Sequence, residues 1–247
     1  MSIFGIDVSK YQGPINWPMV KQAGVKFRMI RGAYRGWGDG TIHRDRRADE
    51  YVTGCMSTGI HYGIYIFSQA INEAEAVREA DYIIDWLIRS GFTPDYPVCI
   101  DQEYSGDTQY RGRADHLTAE QYARNRAAFC ARCEERGYYA LIYCSEAWYK
   151  QYHARYSSFL DKYDYWIAKW SEVAPNISRH FGMWQYSNLG TVSGISGRLD
   201  LDVAYKDYSG IIKRSGLNGW GTIPRPAGKS LLMRILEIII RFFKGTL

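Results

Sequence analysis

Asp101 and Glu103 stand two residues apart in the segment Pro97-Val-Cys-Ile-Asp-Gln-Glu-Tyr104. Val98, Cys99 and Ile100 before them read as a buried strand, and a strand sends residues i and i+2 to the same face. Two carboxyl groups then emerge side by side, their Cα atoms roughly 6–7 Å apart. In a poorly solvated site two such groups resist ionising together, so one pKa rises. A carboxyl that keeps its proton beside one that has lost it is the equipment that cleaves glycosidic bonds. The competing reading of the same pair is two solvated acids in a loop after the strand.

The elements around the pair decide between these readings. Apolar strand-like runs recur at Ile3–Asp7, Phe27–Arg31, Tyr62–Phe67, Val98–Asp101, Ala140–Cys144, Tyr165–Ala168, Met183–Tyr186 and Leu199–Val203. Helical patterns separate the early runs. Asn72-Glu-Ala-Glu75 resembles a capping box, with Val77, Ala80, Ile84, Leu87 and Ile88 at helical spacing before Gly91. A second helix opens at Thr118 and runs to about Arg136, before Gly137. Shorter helices fit Trp17–Ala23, Asp45–Thr58 and Ala147–Phe159. Strand–helix alternation implies parallel strands joined by crossovers, and eight strands imply closure. The fold class expected is therefore α/β, an incomplete (β/α) barrel with eight strands and helices mainly after the first five. Active sites of such barrels collect at the C-terminal strand ends. Asp7, Asp101, Glu103 and Asp200 all fall at or near strand ends, so four acids from three strands converge on one mouth.

Composition sets the outer bounds. The chain has 247 residues, enough for one large barrel, and 46% hydrophobic and 23% charged residues, as in ordinary globular proteins. Its 21 Tyr and 8 Trp are unusual. They fit flat rings stacked on sugars, or a Tyr-rich core. Of the net charge of +5, +4 lies in residues 225–247, where five basic residues face Glu237. The nearly neutral body shows no basic stripe, so nucleic acid is not an expected partner. The five cysteines form no disulfide framework; Cys99 and Cys144 read as buried thiols, and Cys130-x-x-Cys133 lacks a second ligand pair for zinc. His43, His61, His116, His153 and His180 are scattered. No metal and no cofactor is expected. The N-terminus enters a strand at once without a signal-peptide pattern. This predicts synthesis in a cytosol.

After Gly216 the composition changes. Three parts are expected: a catalytic barrel over 1–216, a Gly/Pro linker over 217–229, and an amphipathic tail helix over 230–247. In the tail Arg234, Glu237, Arg241 and Lys244 form one narrow polar stripe on a helix otherwise apolar. The stripe and its positive excess suit contact with an anionic membrane or wall surface. A helix docked on the barrel is the other reading.

An ordered set of segments now points to a family. Gly5-Ile-Asp-Val-Ser-Lys-Tyr-Gln12 with Trp17, Tyr62-Gly-Ile-Tyr-Ile-Phe67, Asp101-Gln-Glu103, Tyr143, Trp166-Ile-Ala168, Trp184-Gln-Tyr186 and Leu199-Asp-Leu-Asp-Val203 together resemble glycoside hydrolase family 25 over roughly residues 3–208. These are the lysozymes of the Chalaropsis type. The resemblance implies an N-acetylmuramidase acting on the β-1,4 bond from N-acetylmuramic acid to N-acetylglucosamine in bacterial peptidoglycan, and a phage or prophage endolysin as its setting. That setting implies a bacterial cytoplasm as the place of synthesis, with action at the cell wall after release. It implies Glu103 as general acid and Asp7, Asp101 and Asp200 as the other active-site carboxylates. Either a carboxylate or the substrate's own acetamido group could attack; the sequence does not choose. Tyr65, Tyr143 and Trp170 are expected to line the groove, and Gln185 to bond a sugar hydroxyl or to be a satisfied strand-end amide. Asp202 stands where the family would have Asn, and reads as a loop acid, as do Asp107 and Asp115. Two other functions fit parts of the pattern. A chitinase-like hydrolase would carry a longer acidic run than Asp101-x-Glu103, and a non-catalytic glycan-binding barrel would not need all four acids.

Overall fold

A computed structural model describes residues 2–221. Strands β1 (Ile3–Val8), β2 (Phe27–Arg35), β3 (Ile42–Arg44), β4 (His61–Ser68), β5 (Val98–Gln102), β6 (Ala140–Ser145), β7 (Asp164–Ala168), β8 (Met183–Gly190) and β9 (Leu199–Ala204) form one sheet in the order β1-β9-β8-β7-β6-β5-β4-β2-β3. Pairing of β1 with β2 closes eight of them into a barrel, and β3 hangs outside as a hairpin partner of β2. The eight expected strands are the eight barrel strands; β3 is the addition. Helices α1 (Trp17–Gln22), α2 (Ala48–Thr58), α3 (Glu73–Ser90) and α4 (Ala119–Glu135) fill the early crossovers. After β6 the expected helix is broken into short α, π and 3-10 turns over 146–160. No helix stands between β7 and β8 or between β8 and β9. The barrel is thus incomplete on one side.

The direction of one strand corrects the expectation of uniformly parallel strands. β9 runs antiparallel to both β8 and β1. Residues 191–198 between β8 and β9 are too few for a parallel crossover, which needs a dozen or more residues, but ample for a hairpin. Asp200 therefore lies near the start of its strand, not the end. Reversal brings that start to the mouth where the other strands finish, and Asp7 pairs directly with Asp200.

Alternation along the strands sorts the side chains into two cores. Ile6, Val8, Ile30, Ile64, Ile66, Val98, Ile100 and Ile142 point outward and are buried against the helices. Phe27, Met29, Tyr65, Cys99, Leu141, Tyr143, Trp166 and Met183 fill the interior. The interior is crowded enough that Gly5 cannot carry a side chain, because a Cβ there would lie 2.2 Å from the Phe27 ring. Asn72 caps α3 by accepting from the Glu75 N–H at 3.0 Å, and Thr118 caps α4 by accepting from the Gln121 N–H at 3.1 Å.

The bottom of the barrel is closed by a helix the sequence did not announce, Tyr208–Arg214. Ile212 joins the interior core, and the Tyr208 hydroxyl donates to Asp164 Oδ2 at 2.7 Å. Docking continues past Gly216, where the linker was expected to begin. Asn218 is fully buried. Its Oδ1 accepts from the Tyr139 N–H at 2.8 Å, and its Nδ2 donates to the carbonyls of Pro94 and Tyr96. The barrel unit thus extends at least through Trp220, whose Nε1 also donates to Pro94 O. The tail helix expected over 230–247 lies outside the described residues.

Candidate active site

β5 delivers the first pair. Asp101 is buried at the top of the barrel interior. Glu103 follows the last strand residue and keeps the same parity, and it is half-buried at the mouth. The segment beyond β5 is stitched in place. Gln69 Nε2 donates to the Glu103 carbonyl at 2.9 Å, Gln102 Nε2 donates to Ala70 O at 2.7 Å, and Arg126 donates to the Gln102 carbonyl. The loop that follows is organised by Asp115, which corrects its reading as a solvated acid. It is buried and accepts from the Ser105 N–H and hydroxyl and from the Gly112 N–H. Asp107 is a loop acid, ion-paired with Arg111 at 2.9 Å.

Asp7 from β1 and Asp200 from β9 complete the four. Burial raises the Asp7 carboxyl well above the usual range, and the charges of Asp202 and Asp200 add to it. Burial also raises Asp101, helped by the neighbouring Glu103. Glu103 is pushed up to about 7 by burial, against the pull of Arg126 and with Asp200 adding. Asp200 is pushed up by burial to about 6. A carboxyl held near 7 is still protonated in about half of the molecules at neutral pH and can give its proton away, which is the property a general acid needs.

Gln185 ties three of the sequence-predicted residues together. Its Oε1 accepts from the Tyr143 hydroxyl at 3.1 Å and from Trp170 Nε1 at 3.0 Å, while its Nε2 donates to Asp7 Oδ2 at 2.8 Å. The amide thus bonds the protein and orients Asp7, rather than standing free for a sugar. Tyr65 and Tyr143 are interior and nearly buried; their rings meet Trp166 edge-on at centroid distances of 6.0 and 4.8 Å. They form the floor under the acids. Trp170 is 60% exposed and offers a ring at the rim.

Three features escaped the sequence reading. Asp202, read as a loop acid, is fully buried inside the barrel and accepts from Trp166 Nε1 at 2.8 Å. It shares the interior parity of Asp200, which was the available signal. Arg126 lies buried behind Asp101, with its guanidinium 5.3 Å from the Tyr122 and Trp148 ring centroids. Its signal was a charge in the middle of the Tyr122, Phe129, Cys130 and Cys133 face of α4. Arg31, at interior parity with Phe27 and Met29, donates to Asp45 Oδ2 at 2.9 Å. It opens onto a cleft of about 510 Å³ lined by Lys10, Tyr11, Tyr34 and Trp37 among others. On the other flank Trp170, Trp184 and Tyr186 line a second cleft of about 560 Å³. The first cleft opens at the strand ends that carry the acids, whereas Trp184, Tyr186 and Val203 place the second on the outer face of β8 and β9, with Trp170 at the rim.

The sequence profile of glycosyl hydrolases family 25 matches residues 6–195. The chain belongs to this family. It is 31% identical over 204 residues to Lysozyme M1 of Streptomyces globisporus, covering 79% of this chain and 65% of that protein. The bacterial lysozyme from Streptomyces coelicolor has a similar structure, with a TM-score of 0.68 at 27% identity, over 83% of this chain and 92% of that one. The modular autolysin LytC from Streptococcus pneumoniae shares the fold, with a TM-score of 0.72 at 22% identity, over 83% of this chain and 47% of that one. The family 25 chain described here thus spans about two thirds of Lysozyme M1 and about half of the autolysin.

Proposed function

We propose that this family 25 chain hydrolyses bacterial peptidoglycan at the β-1,4 bond from N-acetylmuramic acid to N-acetylglucosamine, with Glu103 as general acid. The observation that carries the proposal is the state of Glu103: a carboxyl at the barrel mouth, held near 7 among three other acids from β1, β5 and β9. Glu103 has the longer stem of the β5 pair and reaches outward to the glycosidic oxygen. Asp200, the less buried of the aspartates, ionises first and stabilises positive charge on the sugar ring as the bond breaks. Asp101 lies under Glu103, and burial holds it toward its protonated, neutral form. Asp7, held by Gln185, lies across the strand pair from Asp200. The aromatic cleft beside Arg31 and the exposed Trp170 ring supply flat faces for pyranose rings, and the name of Lysozyme M1 agrees with this substrate class.

The proposal fixes a pH profile. The aspartate that stabilises the developing cation must be ionised, so activity should rise as pH passes about 6, where Asp200 loses its proton. The general acid must be protonated, so activity should fall as pH passes about 7, where Glu103 loses its proton. Rates of turbidity loss with isolated walls, at constant ionic strength, should trace this narrow bell. A rate that keeps climbing well beyond pH 7 would rule out Glu103 as the proton donor.

A further inference from the structure

The site holds a fifth carboxyl that the four-acid account does not use. Asp202 is opposite Gly5 on β1 and Gln185 on β8, fully buried. Its Oδ1 accepts from Trp166 Nε1 on β7, while its Oδ2 is buried with no donor among the described residues. Asp7 lies beside it on the same interior face: it is two residues from Gly5, which Asp202 faces, and Gln185, which Asp202 also faces, donates to it. Asp7 in turn has its Oδ2 taken by Gln185 Nε2. Both groups are natural acceptors. Two carboxyls packed side by side in a buried site resist ionising together, and a retained proton would satisfy the orphaned oxygen.

The surroundings offer no other remedy. Asp200 on β9 adds negative charge beside both groups. Asp101 on β5 adds more at Asp7, and the Tyr65 hydroxyl on β4 lies in the field of Asp7. Arg31 on β2 is bound to Asp45, and its charge acts on Tyr65 and Asp101. Trp166 and Gln185 each give one neutral N–H to an oxygen on either side of the pair.

We propose that Asp7 and Asp202 share a single proton, and that through this bond Asp202 is a positioning residue that fixes the Asp7 carboxyl at the mouth. The inference rests on the reading above in one respect, that Asp7 serves the glycan site. Burial raises both carboxyls, in the direction that retains a proton. The pair as a whole carries one negative charge, wherever the proton rests, and titrates as a unit.

Asp202→Asn preserves the shape, the charge of the pair and a donor toward Asp7. Asp202→Ala leaves the Trp166 N–H and Asp7 without that partner. The Ala variant should lower kcat on isolated walls by about 10- to 100-fold, since displaced catalytic groups lose that much. The Asn variant should recover to within a few-fold of the parent, with both limbs of the pH profile unmoved. Infrared difference spectra of the full chain at neutral pH, parent against Asn variant, should show the loss of one protonated-carboxyl band. If a carboxylate band is lost instead, Asp202 is ionised and the proposal is overturned. It is equally overturned if the Asn variant is as slow as the Ala variant, or if its alkaline limb moves to lower pH, as removal of a charge would require. Should the Ala variant not fold, the spectrum of the Asn variant decides. That spectrum does not depend on wall cleavage, so failure of the muramidase reading and failure of the shared proton remain distinguishable.

Discussion

Glu103→Gln should yield a folded chain that lyses walls about 10²–10⁴-fold more slowly than the parent, the usual contribution of general acid catalysis. The amide matches the carboxyl in shape but cannot give a proton to the leaving oxygen. Loss of activity through unfolding would look different, and the direction of the pKa shift says how. Glu103 rises from an ordinary value of 4.5 to about 7 in the folded chain. Its contribution to stability is therefore complete below about 4.5 and is lost as pH rises through about 7. The Gln variant has no such loss, so at neutral and mildly alkaline pH it should melt no lower than the parent. A folded variant with near-parental lysis would remove Glu103 from the mechanism.

Asp200→Asn should lower kcat by about 10²–10³-fold while leaving the Michaelis constant nearly unchanged, whereas Asp101→Asn replaces a carboxyl that burial holds toward its protonated form and should lower kcat less. Charges placed for a developing oxocarbenium ion act on the transition state and little on the ground state, and groups of this kind typically contribute that much. The two variants should differ in pH dependence. Asp200 is one of the charges that hold the Glu103 proton, so Asp200→Asn should move the alkaline limb to lower pH. Steady-state kinetics on soluble glycan fragments would check both points. A raised Michaelis constant with unchanged turnover would make these aspartates binding residues instead.

Much of this site can be read from periodicity. Alternation along Val98–Asp101 places Asp101 inside, and the step to Glu103 keeps the same face. The capped helices α3 and α4 follow from Asn72 and Thr118 and from apolar spacing. Other features depend on information that a local pattern does not carry. Asp200 shows its inward face in the sequence, but the direction of β9 depends on how short a loop the chain can turn between paired strands. Asp202 looks like a loop acid because nothing nearby in sequence hints at Trp166, its partner from β7. Gln185 shows only an amide at a strand end; its bonds to Tyr143, Trp170 and Asp7 join three separate parts of the chain. The docking of Asn218 is hidden for a related reason. Its neighbours Gly216, Gly219 and Gly221 signal a linker, while its side chain fastens the chain to Pro94 and Tyr96. Sequence spacing gives the face of each element, whereas contacts between elements settle which polar groups are satisfied.

The most direct test of the account is the identity of the new reducing end. Purified walls digested by the full chain, reduced with borohydride and analysed by mass spectrometry, should yield fragments ending in reduced N-acetylmuramic acid. Fragments ending in reduced N-acetylglucosamine, or walls left uncut by a folded protein at its best pH, would contradict it.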